Sequence, residues 1–218
     1  MKWSWIFLFL PLALIAHQNK KRDFQVWNTD SITIPLSKRV FFSSDIEFRY
    51  KKYARNLYYK QVQAQLHFYL TPSMTIGPGY KQISHLINHQ WDKEHTPLCD
   101  LMFYLLKNTW QLSDRNRIEY RILPNSMLDG KNRWVYRNRL SLMPPFQLIP
   151  FQLSCYLSDE IFWQEGLGIS ENRALFGLVS PSRRKCWLSI YYMRRWLKTL
   201  QKNHLHQNII GINILFRF

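Results

Sequence analysis

Arginines and carboxylates recur two residues apart in this chain. Asp45, Glu47 and Arg49 form one run; Arg117, Glu119 and Arg121 form a second; Arg137, Arg139 and Glu160 extend the series. Residues i and i+2 of a strand point to the same side, so each run would put charges of both signs on one face. If such faces converge on an enclosed space, the surplus of Arg over carboxylate would make a constriction that favours a small anionic solute. Otherwise the same groups close on one another as Arg–carboxylate pairs that fill the space, because buried charges need partners. For a narrow enclosure the second reading is preferred.

Other chemistries find weaker support. His85, His89 and His95 fall in one stretch with Asp92 and Glu94, and His204 and His206 fall in another. Nothing near them completes a metal site, so solvated loop histidines are expected and no metal. Ser44 shares parity with the apolar side of its strand, as a hydrolase serine facing lipid would. However, there is no Gly-x-Ser-x-Gly elbow and no Ser–His pair visible by spacing. Asp129 and Glu165 are isolated acids of predicted links. No catalytic residue and no cofactor is assigned, and the chain is not expected to be an enzyme. Cys99, Cys155 and Cys186 are odd in number and lack CxxC spacing, so they read as small apolar fillers.

The elements that would carry the charge runs are strands. In 39–51, Phe42, Ile46, Phe48 and Tyr50 oppose Asp45, Glu47 and Arg49. In 58–70, Val62, Ala64, Leu66, Phe68 and Leu70 oppose Gln61, Gln63, Gln65 and His67. Ile118, Tyr120 and Ile122 oppose Arg117, Glu119 and Arg121, while Trp134, Tyr136, Leu140 and Leu142 oppose Arg137, Arg139 and Ser141. The period is two throughout, and each run is long enough for a strand that crosses a bilayer, about 9–11 residues. Tight links are predicted at 36–39, 71–74, 113–116, 143–150 and 180–185. Longer ones are predicted at 51–56, 85–97, 123–132, 163–172 and 197–208. Their alternation suits a meander barrel with short turns at one rim. Eleven strands can be counted, the first over 24–36. A closed antiparallel barrel takes an even number, so ten or twelve is expected, unless the first segment splits or pairs abnormally.

The 218 residues carry 30 Lys and Arg against 14 Asp and Glu, a formal charge of +16. Nucleic acid is the reflex explanation for such a charge. Yet the basic residues are spread along the chain, with short clusters at Lys38–Arg39, at Lys51, Lys52 and Arg55, and at Arg183–Arg184–Lys185. Diffuse charge of this kind also suits loops facing anionic head groups. Aromatic residues, at 16%, are too many for a disordered chain. The start, MKWSWIFLFLPLALIA, has one basic residue, then a short apolar stretch, then Ala16. It reads as a signal peptide over 1–16, with one domain over 17–218, and export makes nucleic acid an unexpected partner.

Period two cannot by itself say which face meets water. The final strand helps. Ile210, Ile212, Ile214, Phe216 and Phe218 share one face, the pattern read by the machinery that inserts outer-membrane barrels. Tyr50, Tyr53, Tyr58, Tyr59, Trp110, Trp163 and Trp196 stand near predicted strand ends, where an interfacial girdle would be. Together these favour an all-β, antiparallel meander transmembrane barrel in the outer membrane, with lipid and the insertion machinery as partners. The alternatives are a barrel lipid hydrolase or acyltransferase, and a basic soluble β-protein that binds nucleic acid.

The segment 23–52 also resembles a known family. Asp23, Phe24 and Trp27, followed by a turn and then by Glu47 and Arg49, are similar to the opening of the bacterial barrel family known as domain of unknown function 2490. The resemblance is strongest in the first third and is echoed by Arg117, Glu119 and Arg121. It implies an outer-membrane barrel of a Gram-negative envelope, with a structural or narrow-pore role, and implies no activity.

Overall fold

Strands with one apolar and one charged face need neighbours on both edges, and this chain supplies them by closing on itself. The computed structural model describes residues 24–107, 110–124, 130–148, 152–180, 185–198 and 204–218. The expected signal peptide at 1–16, and Asp23, lie outside them. The elements are β1 (Phe24–Pro35), β2 (Val40–Lys51), β3 (Asn56–Thr71), β4 (Met74–Ile87), β5 (Gln90–Lys107) and β6 (Trp110–Arg121). They continue with β7 (Arg133–Met143), β8 (Gln147–Leu148), β9 (Leu153–Gln164), β10 (Gly168–Val179), β11 (Cys186–Lys198) and β12 (His204–Arg217).

Eleven of these close the barrel, in place of the ten or twelve expected. Neighbours in the chain pair antiparallel, β7 pairs directly with β9, and the two-residue β8 adds only to the start of β9. An odd ring cannot be antiparallel throughout, so one seam must be parallel. That seam joins β1 to β12, with Val26 opposite Ile210, Trp27 opposite Gly211 and Asn28 opposite Ile212. The first strand pairs abnormally, which reconciles the count of eleven with closure.

Burial is inverted relative to a water-soluble barrel. Lys81 and Glu119 are 2% and 0% exposed, whereas Val62 and Ile118 are 51% and 53% exposed. The charged faces therefore point inward and the apolar faces outward. Ile210, Ile212, Phe216 and Phe218 are on the outer side, and Ile214 shares their parity. Tyr53, Trp110, Trp134 and Trp163 stand exposed near strand ends, but Tyr58 and Tyr59, expected among them, line the lumen.

Several links differ from expectation. The predicted long link over 85–97 is a two-residue hairpin turn at Asn88–His89, both at positive φ (48° and 67°). Positive φ at both central residues matches the strand twist, and Asn is among the few residues that take it at low cost. At 163–172 the link shrinks to 165–167, with Gly166 and Gly168 at φ of 76° and 72°. The turn predicted at 113–116 does not exist: β6 runs straight through it, paired with β5 and β7. Turn-type composition there is overridden by ladder bonds on both sides. Short turns thus occur at both rims, and the described alternation of short and long links is lost.

Inside, the lumen wall near the seam is apolar. Trp27, Tyr191, Met193 and Ile209 form a buried cluster, flanked by Tyr156 and Leu175. Tyr191 lies flat across Gly211 and Tyr156 across Gly177, where a Cβ would occupy the ring's own position. A glycine is needed at both places because the tyrosines fold down onto the neighbouring strand.

Candidate functional site

The lumen holds a cavity of about 640 Å³. It runs along the barrel axis from Glu94 and Arg121 at one end to Ser31 and Asn213 at the other. Nine Lys and Arg side chains line it against five Asp and Glu.

The first three strands position the segment that carries the family resemblance. Arg49 is clamped between two rings, its guanidinium 3.7 Å from the Trp27 centroid and 3.9 Å from that of Tyr59. It donates to Glu47 through Nε at 2.7 Å and Nη2 at 3.2 Å. The Trp27 Nε1–H donates to Gln25 Oε1 at 3.0 Å. Guanidinium over aromatic faces gains from the ring quadrupole most when water is excluded, so these residues lock β1 to β2 and β3.

Around the rest of the wall the charges form a branched network. Arg117 grips Asp100 with two bonds of 2.6 and 2.7 Å, and it also donates to Gln63 at 2.8 Å and to Gln65 at 3.1 Å. Glu119 accepts from Lys81 at 2.8 Å, Arg137 at 2.7 Å and Arg121 at 3.3 Å. Glu160 accepts from Arg115 at 2.5 Å and from Arg137 at 2.8 Å. Glu171 accepts from Arg195 at 2.6 and 2.8 Å. Phe162 lies 4.4 Å from both Arg137 and Arg173.

All nine residues of the charge series face this interior, and Asp45 accepts from Gln63 at 3.2 Å. They are not equivalent. Arg139 sits directly across from Arg115 in the β6–β7 ladder, and it makes no ion pair or hydrogen bond among the described residues. The Nε of Arg115 is buried without a partner. Glu160 is the register partner of Arg139 on β9 and already accepts from Arg115 and Arg137, so three guanidiniums gather around one carboxylate and leave a local excess of positive charge.

Sequence reading missed Lys81, Glu94, Asp100, Arg115, Glu171, Arg173 and Arg195. Lys81 sits in a Gly-rich strand and Asp100 in an apolar run, so neither stands out. Glu171 joins the lumen after a bulge between Ile169 and Glu171 that leaves Ser170 and Glu171 both buried and resets the parity.

The histidines do not form a cluster. His85 faces inward, 3.3 Å from Glu94; His95 faces outward against Tyr80; His89 is in the turn. A Ser–His pair invisible in the spacing does occur: Ser43 Oγ lies 2.9 Å from His67 Nε2. The His67 ring stacks on Phe41, abuts Gly77 and leaves Nδ1 unpartnered. No acid holds that nitrogen as a nucleophilic triad requires, and the pair fills space low in the barrel.

Among solved structures, the chain is similar to a NanC porin. The TM-score is 0.56 at 13% identity, covering 90% of this chain and 99% of that one. This likeness concerns the fold. No curated protein matches the chain. The DUF2490 family, described as a protein of unknown function, matches residues 24–206. With that match over most of its length, and with Trp27, Glu47 and Arg49 joined in one stack, the chain belongs to the DUF2490 family.

Proposed function

We propose that the protein is an outer-membrane barrel of a Gram-negative envelope whose lumen is a narrow pore biased towards small anions. The inverted burial supports the membrane setting, since only lipid suits an outer face carrying Val62, Ile118, Leu157, Phe176 and Ile190. The observation that carries the anion bias is the lumen charge: nine cations line it against five acids, seven when the buried Asp100 and Glu119 are counted, and Arg139 is in no ion pair among the described residues. Its 640 Å³ is of the size that holds a small molecule.

Liposome swelling tests this. Vesicles bearing the folded protein should admit small carboxylates faster than cations of equal size. The Arg139→Glu variant should lose at least about tenfold of the anion rate. Reversing one charge changes the energy of a contacting anion by roughly 2 kcal/mol even in water-like dielectric. Swelling with no solute at all would favour the other reading, a barrel filled by its own ion pairs, for which the near-complete burial of Lys81, Asp100 and Glu119 speaks.

The outward row Ile210, Ile212, Ile214, Phe216 and Phe218 is proposed to be what the insertion machinery binds. Replacing Phe218 with Ser should lower the membrane-assembled fraction several-fold in cells while leaving refolding in detergent intact. Equal assembly of the variant would contradict that role.

A further inference from the structure

The outer face of β9, β10 and β11 carries a feature the pore does not use. Asp159, Ala174 and Arg194 are consecutive register partners across these strands, so an acid and an Arg flank a small residue on either side. Each stands one strand spacing, about 5 Å, from Ala174. Both charges are exposed, yet they do not pair with each other. Asp159 accepts from Asn172 at 3.0 Å, while Arg194 makes no hydrogen bond or ion pair among the described residues and only neighbours the Trp196 ring at 5.2 Å. Around them lies a groove of about 440 Å³ with an apolar floor that includes Leu140, Leu157, Ala174 and Phe176.

Outward polar groups on β6 and β7 satisfy one another. Asn138 and Asn116 donate to Asp114 at 2.7 and 2.9 Å, and the Tyr136 hydroxyl donates to Asn116. Arg194 has no such bond among the described residues. An Arg facing lipid is costly in a depth-dependent way, and an ionised group at membrane depth calls for a partner.

We infer that this face is the two-fold contact of a homodimer. A two-fold axis parallel to the barrel axis and passing by Ala174 brings Asp159 of each copy to the side of Arg194 of the other, offset by roughly 6 Å along the axis by the strand tilt, a gap that the long Arg side chain spans. The row is self-complementary under that operation, as an isologous interface requires. Ala174 lets the two walls approach, and the flanking apolar side chains enter each other's grooves. The inference rests on the membrane-barrel reading but not on the pore.

The test uses the full chain with Cys99, Cys155 and Cys186 replaced by Ser and with Ala174→Cys. Oxidation in isolated membranes should give a covalent dimer. Asp159→Arg or Arg194→Asp alone should each cut the cross-linked fraction at least tenfold, and the double reversal should restore it. A chain that stays monomeric, while its unboiled form still migrates as a folded barrel, would overturn the dimer and leave the barrel reading intact. So would native mass spectrometry showing a monomer with bound phospholipid that is lost in Arg194→Asp. Recovery of the chain in the soluble fraction, with no heat-dependent shift, would overturn both.

Discussion

Replacing Glu119 with Leu is expected to lower the unfolding free energy of the barrel by about 3–5 kcal/mol, the usual cost of removing one partner from a buried ion pair. Glu119 is fully buried and accepts from three cations on three strands, β4, β6 and β7. Arg137 keeps Glu160 and Arg121 keeps a contact with Glu94, but the ammonium of Lys81 loses the one hydrogen bond it makes among the described residues. A bare ammonium, 2% exposed, then remains inside. Denaturant titration in detergent, followed by tryptophan fluorescence, measures the loss. Pairing Glu119→Leu with Lys81→Met should recover a large part of it, because removing both charges avoids the stranded one. Wild-type stability in the single variant would mean that water reaches this site and the network is not a buried one.

The second large effect is expected at the seam. Trp27→Ala should cost about 3–5 kcal/mol as a large-to-small change in a packed interior. Trp27 joins the apolar cluster with Tyr191, Met193 and Ile209, and it also covers one face of Arg49. It sits on β1 opposite Gly211, in the one parallel pairing of the barrel, which is slightly weaker per residue than antiparallel pairing. Loss of the ring should therefore loosen β1 first, and amide exchange across β1 and β12 should rise ahead of the rest. Trp27→Phe, which keeps a ring over Arg49, should lose much less. Equal stability of the Ala and Phe variants would remove the stack from the account of what closes the barrel.

The two faces of each strand were legible in advance because the period of two reports them directly: Ile118 against Glu119 and Val62 against Gln63 fall as the alternation says. Closure was not legible, since alternation is blind to how many strands meet or in which direction the ends pair. Local composition misled where ladders decide, as at Ser113–Asn116, which reads as a turn and lies within β6. At Asn88–His89 the opposite occurred, and polar residues on both sides of a tight hairpin read as a long loop. The charge series in the sequence was half of the lumen network. The other half comes from single residues, such as Lys81 and Asp100, whose partners lie on other strands. Only the folded barrel brings Lys81 to Glu119 and Asp100 to Arg117.

The most direct test of the proposed pore is the reversal potential of single channels in a planar bilayer under a potassium chloride gradient. The folded, heat-shifting protein should give small conductance steps with a reversal potential on the anion-preferring side, and Arg139→Glu should move it towards zero or beyond. Silence from protein shown to be folded, or a cation-preferring potential in the wild type, would contradict the reading of the lumen as an anion-biased path.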